Sequence, residues 1–251
     1  MPLHLKSKDE LETMYRAGQL LCSVLDEVES MVAPGISTAD LDQKAEEMIA
    51  KAGARAAFKG YHGFPGTLCT SVNDQVVHGI PSAEVVLEAG DIVSVDCGVV
   101  LDGFYSDSAR TIAVGAVAEE VQGLLDVTRK CLDLAIGQCK AGGRLSNVGA
   151  VVQKHAERHG YSVVRDYSGH GIGRSLHEDP QVPNYGRAGR GMRMRPGLVI
   201  AVEPMLNLGV PSCVTLEDGW TVVTKDRKKS AHFEHTVAIT DKGPWVLTAG
   251  A

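Results

Sequence analysis

Apolar runs rich in β-branched residues alternate along this chain with stretches that open on helix-start signals. Ile92-Val-Ser-Val-Asp96-Cys-Gly-Val-Val100 is one such run; Leu101-Asp102-Gly103 gives a turn signal, and a second extended run carries Phe104 to Val114. The pattern predicts an antiparallel hairpin. Leu198-Val-Ile-Ala-Val202 and Ala231-His-Phe-Glu-His-Thr-Val-Ala-Ile239 are further strand patterns. Ser7-x-x-Glu10 reads as a capping box for a helix to about Val32, and Ser37-x-x-Asp40 starts a shorter one that stops before Gly53. Past the hairpin, a helix is expected over about Glu119 to Cys139, then another with Ser146 as N-cap that stops before Gly160.

These elements repeat. A shift of 107 residues superimposes Gly35 on Gly142, Gly53 on Gly160, Gly90 on Gly197 and Asp96 on Glu203 without a gap. Ala89-Gly-Asp-Ile-Val-Ser-Val-Asp96 overlays Pro196-Gly-Leu-Val-Ile-Ala-Val-Glu203, so an acidic residue ends the same strand in both halves. Each half, about 8–114 and about 115–240, reads as helix, helix and hairpin within a single domain spanning 1–251. The expected class is α+β, with pseudo-two-fold duplicated halves whose helices cover a curved antiparallel sheet. Such a two-fold axis would bring Asp96 and Glu203 together, with Asp107 and Glu234 beside them.

The acidic residues then pose a charge problem. Side chains alternate along strands, so a register that makes Asp96 and Asp107 opposed or diagonal neighbours leaves both on one face. Two carboxylates pressed together need a proton or a shared cation. Glu203 and Glu234 interrupt or end buried runs, which is costly without compensation. His170 lies in Tyr167-Ser-Gly-His-Gly-Ile-Gly-Arg-Ser-Leu-His-Glu-Asp-Pro180, where Gly169, Gly171 and Gly173 free the backbone. A lone Asp in a hairpin is ordinarily a turn or edge residue, but Asp96 sits mid-run and is mirrored by Glu203. Four carboxylates and one imidazole suit Mn, Fe, Co or Zn, and the number of carboxylates points to two bridged divalent ions.

Composition narrows the setting. The chain has 251 residues, 44% of them apolar, enough for a sizeable core. It shows no long apolar run, and Met1 to Thr13 carries no apolar h-region, so neither a membrane span nor a secretory signal is expected. Cys22, Cys69, Cys97, Cys131, Cys139 and Cys213 show no CxxC spacing and read as reduced thiols, which makes a cytoplasmic location the default. A net charge of −6 argues against a dedicated nucleic-acid binder. The cluster of Arg187, Arg190, Arg193 and Arg195 with Lys225 to Lys229 reads as solvated loop rather than an RNA contact. His155-Ala-Glu-Arg-His159 has the histidine spacing of a zinc-protease helix, but its Glu157 is one place late.

A water held between two such ions becomes a hydroxide nucleophile near neutral pH, so hydrolysis is the expected chemistry. His78, in Asp74-Gln-Val-Val-His-Gly-Ile-Pro81, and His177 are free to donate hydrogen bonds to a substrate; the competing reading is a polar loop residue. Phe58, Tyr61, Phe64 and Cys69 concentrate aromatic and sulfur groups in a chain with only 5% aromatics, and they suit a pocket for an apolar, polarisable side chain.

Over nearly its whole length the chain resembles the type 1 methionine aminopeptidases. The resemblance rests on Tyr167-x-Gly-His170-Gly-Ile-Gly-x-x-x-His177-x-x-x-x-Val182-x-Asn184-Tyr185, on Asp96-x10-Asp107 and on Asn73-x-x-x-x-His78-Gly-Ile-Pro81. It implies the pita-bread fold and a catalytic domain with Asp96, Asp107, His170, Glu203 and Glu234 as ligands of two divalent ions (Co, Mn, Fe or Zn). It further implies a proton-shuttle role for Glu203, contacts from His78 and His177 to the substrate peptide, and a methionine pocket lined by Tyr61, Phe64, Cys69 and Trp220. Asn73 and Ser230 match positions beside a monovalent cation. The implied reaction removes the N-terminal methionine of nascent proteins whose second residue is small: the bridging hydroxide attacks the scissile carbonyl, His177 steadies the oxyanion and Glu203 passes a proton to the leaving amine. A monomer in transient contact with the ribosome is the accompanying expectation.

The sequence departs from that pattern in a few places. Leu176 stands where relatives often carry Phe, so the pocket wall is expected to be roomier or softer. Cys97-Gly98 after the first Asp is a variant outside the ligand set. The chain starts almost at its first helix, so the extension of eukaryotic type 1 relatives is not expected, and the 30 residues between Glu203 and Glu234 leave no room for the helical insertion of type 2 enzymes. Two alternatives stay open: a proline-specific aminopeptidase or prolidase-like enzyme, which usually carries a large N-terminal domain, and a non-catalytic binding homologue on the same scaffold.

Overall fold

In the computed structural model, which describes residues 3–250, both capping boxes form. The Glu10 carboxylate accepts the Ser7 N–H at 2.7 Å while the Ser7 hydroxyl accepts the Glu10 N–H, opening α1 at Lys8–Met31. Ser37 and Asp40 do the same for α2, Thr38–Lys51. Along α1 the buried residues Leu11, Met14, Gly18, Leu21, Leu25 and Val28 recur every three or four positions and form one stripe facing the core.

The second helical pair differs from the reading of the sequence at two ends. α3 spans Glu119–Ile136 and stops short of Cys139. Gly137 weakens the helix there, and residues 137–139 continue as tighter turns in which Gln138 and Cys139 donate to the carbonyls three residues back. α4 spans Ser146–Arg158, and Ser146 is its first helical residue rather than its N-cap, which is Leu145. The Ser146 hydroxyl is engaged elsewhere: it donates to the Arg190 carbonyl at 2.7 Å and accepts the Arg190 N–H at 2.8 Å, tying the start of α4 to the loop that precedes the second-half strands.

The first-half hairpin pairs Ile92–Leu101 with Phe104–Ala113. Its two turn residues, Asp102 (φ 51°) and Gly103 (φ 80°), are both left-handed, as the twist of a two-residue hairpin demands. The glycines superimposed by the 107-residue shift also match in conformation: Gly35 and Gly142, Gly53 and Gly160, and Gly90 and Gly197 all have φ between 70° and 94°. Each of these backbone positions favours glycine.

In the second half the hairpin is not tight. Val199–Val202 pairs with His235–Thr240, and Met205–Asn207 pairs with Ser230–His232, in one unbroken register. The connection between Asn207 and Ser230 is an excursion whose strands Cys213–Thr215 and Val222–Thr224 pair with each other, the latter also with Gln75–Val77 of the first half. Glu203 and Glu234 occupy the interruption of this ladder, directly across from one another.

α1 and α2 pack Leu21, Leu25, Leu41 and Ile49 on Leu68, Val93 and Val95 of the first-half strands. α3 and α4 pack Leu124, Val148 and Val152 on Ile200, Val202 and Leu206 of the second. Each such leucine contributes roughly 1.5–3 kcal/mol by leaving water. The two halves join through polar contacts near the acidic residues: Thr236 Oγ1 accepts the Asp107 N–H at 3.1 Å and donates to the Asp107 carbonyl at 2.8 Å, and the Glu234 N–H donates to the Ala109 carbonyl at 2.9 Å. All six cysteines are free, and among the described residues no helix is long and apolar enough to cross a membrane.

Candidate metal centre and adjoining pocket

The register places Asp96 opposite Ala109 and Asp107 opposite Gly98. Asp96 and Asp107 are therefore diagonal neighbours on one face of the hairpin. The junction just described brings Glu234 against Asp107, and His170 enters from the strand Gly169–Gly171, whose Gly171 pairs with Ile200. Gly169 and Gly171 allow close approach: a Cβ on either would lie 2.3 Å or 2.2 Å from the carbonyl oxygens of Ala201 and Asp179. His170 Nε2 lies 3.9 Å from Asp107 Oδ2 and 3.7 Å from Glu203 Oε1. One ligand atom each of Asp107, His170 and Glu234 fall within 4.8 Å of one another.

All five residues line one cavity of about 200 Å³, and its wall holds no lysine or arginine. Burial pushes the Asp96 carboxyl up to about 7. It also raises Asp107, Glu203 and Glu234 far above the usual carboxylate range, reinforced in each case by neighbouring carboxylates. Burial, with His177 alongside, drives His170 down to about 4, so its imidazole is neutral and available as a ligand. Asp96 Oδ1, Asp107 Oδ1, Glu234 Oε1 and His232 Nε2 are buried without any hydrogen-bond partner. Each orphaned group of this kind costs about 1–3 kcal/mol. Oxygen-rich donors with one or more imidazoles, several of their atoms without protein partners, fit divalent cations of the Mn, Fe, Co and Zn type.

The rest of the cavity is apolar and aromatic. Phe58, Tyr61, Phe64, Cys69, Leu176 and Trp220 form its wall next to the acidic cluster. Trp220 meets Phe64 edge to face at 5.1 Å between centroids. Burial holds the Cys69 thiol protonated, so it packs as a small apolar group. His78 reaches the cavity from a left-handed backbone (φ 61°), an uncommon conformation for a side-chain-bearing residue, and the adjacent Gly79 packs against Thr70, whose N–H donates to the Gly79 carbonyl at 2.8 Å. Its ring meets Tyr167 edge to face at 5.6 Å. Burial, and then His177, lower His78 to about 4.

His177 is oriented by Tyr61, whose hydroxyl lies 2.8 Å from Nδ1. Burial raises the Tyr61 phenol and lowers His177, so both groups are neutral; with the imidazole proton on Nε2 the phenol donates to Nδ1, and with the proton on Nδ1 the phenol accepts it. The loop that carries Leu176 and His177 is anchored by Glu178, which accepts the N–H groups of Arg174 and Ser175 and pairs with the buried Lys6 ammonium. Asn73 and Ser230 adjoin as well: the Ser230 N–H donates to the Asn73 carbonyl at 2.9 Å. The structure thus brings every site residue expected from sequence to one cavity or, for Asn73 and Ser230, to one junction near it. By contrast, His159 caps the C-terminus of α4 on the surface with its Nδ1 2.8 Å from the His155 carbonyl, and Arg187, Arg190, Arg193 and Arg195 are exposed.

A model of metallopeptidase family M24 matches residues 12–241. The chain belongs to this family. It is 50% identical to a methionine aminopeptidase of Clostridium perfringens over 97% of this chain and 98% of that one, and 49% identical to methionine aminopeptidase 1 of Bacillus subtilis over 97% and 98%. The crystal structure of a methionine aminopeptidase from Thermotoga maritima superimposes with a TM-score of 0.97 at 45% identity, covering 98% of this chain and 99% of that one. The architecture is the pita-bread fold of family M24, and the divalent metal requirement of a metallopeptidase agrees with the orphaned ligand atoms.

Four residues of the cavity wall were given no role from the sequence: Val77, Tyr167, Ser168 and His232. Tyr167 opens the motif around His170 and Val77 directly precedes His78, whereas Ser168 had only its proximity to His170 as a signal. His232 had a stronger one, since it lies two residues before Glu234 and strand alternation sends the two side chains to the same side.

Proposed function

We propose that this protein is a metal-dependent exopeptidase that removes the N-terminal methionine from nascent proteins whose second residue is small. The observation that carries the reading is the continuity of the cavity: an apolar pocket with a buried sulfur atom opens directly onto five potential metal ligands. Two divalent ions (Co, Mn, Fe or Zn), when bound, would supply an activated water near neutral pH and polarise the scissile carbonyl. Asp96, Asp107, His170, Glu203 and Glu234 would hold them.

The protein's own groups do the remaining work. Phe64, Cys69, Trp220 and Leu176 receive the methionine side chain, and Leu176 gives that wall a compliant aliphatic surface. With its proton on Nε2, His177 donates a hydrogen bond to the carbonyl oxygen as negative charge develops there. His78, neutral for the same reason of burial, serves the amide side of the scissile bond. Glu203 takes the proton of the attacking water and delivers it to the leaving amine. Asn73 and Ser230 offer backbone and hydroxyl oxygens to a monovalent cation that would brace the junction of the two halves. A monomeric, cytoplasmic enzyme in transient contact with the ribosome, acting through the single domain of residues 1–251, completes the reading.

The test is turnover of Met-Ala-Ser against Ala-Pro-Ala by chelator-stripped protein resupplied with Mn or Co. Metal-dependent release of methionine from the first peptide is expected. Absence of that release, or preferential cleavage before proline, would overturn the assignment.

A further inference from the structure

His232 belongs to the centre, yet neither the five-ligand set nor the substrate contacts use it. Its side chain is only 2% exposed, and its Nε2 has no hydrogen-bond partner. That nitrogen lies 3.7 Å from Glu203 Oε2 and 4.0 Å from Glu234 Oε2. His170 stands in the same relation to the cluster, 3.7 Å from Glu203 Oε1 and 3.9 Å from Asp107 Oδ2. The Glu203 carboxylate is therefore bracketed by two imidazoles, each nearest to a different oxygen.

These separations are too long for hydrogen bonds. They match instead the spacing of donors around a shared ion, because ligand atoms about 2.0–2.2 Å from one metal lie roughly 3–4 Å from each other. The ordinary alternative for a buried histidine, a ring satisfied by a protein hydrogen bond, does not account for the orphaned Nε2. The backbone also fixes the ring's location: Thr111 Oγ1 accepts the His232 N–H at 2.8 Å and donates to the His232 carbonyl at 2.7 Å. His232 faces Met205 in the ladder, two positions from the Glu203 and Glu234 pair, so its side chain shares their side of the sheet.

We propose that His232 is a sixth protein ligand of the metal centre, its Nε2 binding the divalent ion held by Glu203 and Glu234 and so giving the centre a second imidazole beside His170. The inference rests on the dimetal reading of the site. A second nitrogen donor shifts the preference of that position toward Zn, Co and Fe and away from Mn, which favours oxygen donors.

The experiment is X-ray absorption at the cobalt edge of the full chain loaded with two equivalents of Co, for the wild type and for His232→Gln. Imidazole multiple scattering averaged over the two ions should fall by about half in the variant, since one of two coordinating rings is lost. Equal imidazole scattering in the two proteins would overturn the proposal and make His232 a hydrogen-bonding neighbour of Glu203. Should the variant fail to fold, the wild type alone decides. Zn titration of protein labelled with 15N-histidine should move two ring nitrogens to metal-bound shifts, and movement of only one would overturn the proposal. Failure of the wild type to take up any metal would overturn the dimetal reading along with it, and metal analysis of the same samples detects that outcome separately.

Discussion

Loading the centre with metal should expel protons, and the number can be worked out from the carboxylates. Without metal, Asp96 has its pKa at about 7 because it is buried. It therefore retains about 0.9 of a proton at pH 6, about 0.5 at pH 7 and about 0.1 at pH 8, all of which a divalent ion must displace. Asp107, Glu203 and Glu234 are raised too, chiefly by burial, so total release exceeds these fractions and declines as the pH rises. The sign for stability follows. A carboxyl whose folded pKa lies above its unfolded value of 3.8 stabilises the apo fold only while protonated. That contribution is complete below about pH 4 and is lost as pH climbs toward the raised folded value. Buried His78 and His235, both lowered to about 4, act oppositely, but only below the unfolded histidine value of 6.5. Between pH 6.5 and 8 the carboxylates alone govern this part of the balance, so the melting temperature of stripped protein should fall with rising pH while that of loaded protein holds. The direct assay is titration calorimetry of Mn into stripped protein in buffers of different ionisation enthalpy, where the dependence of observed heat on buffer gives the proton count. Release of less than about half a proton at pH 6, or a count that grows toward pH 8, would refute the burial argument.

The remaining predictions concern the groups around the cavity. Because burial lowers both His78 and His177, kcat/KM of the loaded enzyme should show no acid limb near pH 6.5; a limb there that disappears in His78→Ala or His177→Ala would contradict this. Tyr61→Phe removes the hydrogen bond to His177 Nδ1 and should lower kcat/KM by about 2- to 10-fold with unchanged metal content; full activity in the variant would mean that the ring is oriented by its packing. Lys6→Met leaves the Glu178 carboxylate buried without its cation and should cost about 3–5 kcal/mol in denaturant unfolding. Since Glu178 also holds the His177 loop by two backbone N–H groups, kcat should drop as well, and Lys6→Met combined with Glu178→Met should recover part of the stability.

What could be read in advance follows from the range of the interactions. The capping boxes at Ser7 and Ser37 and the Asp102-Gly103 turn are decided within a few residues, and all three formed where the local chemistry pointed. Ser146 carried the same local signal as Ser37, yet its hydroxyl is taken by Arg190, 44 residues away, a partner that helix-start rules do not consult. The ligand cluster was legible for a different reason: duplication makes one half a template for the other, so Asp96 announced Glu203 across 107 residues. Duplication also explains the blind spot. Glu203 and Glu234 face each other across a ladder whose connection is a long excursion, whereas Asp96 and Asp107 are diagonal across a two-residue turn. With the second hairpin opened in this way, the strand that delivers Glu234 also passes the cavity two residues earlier, and the side chain it presents there is His232. By register the first-half counterpart of His232 is Asp107, since Asp107 faces Gly98 and His232 faces Met205, 107 residues on, so pairing Asp107 with Glu234 by charge alone passes over the imidazole. His170 is an addition to the duplicated frame, whereas His232 stands where the first half carries Asp107, and its unpartnered Nε2 is what draws attention to it.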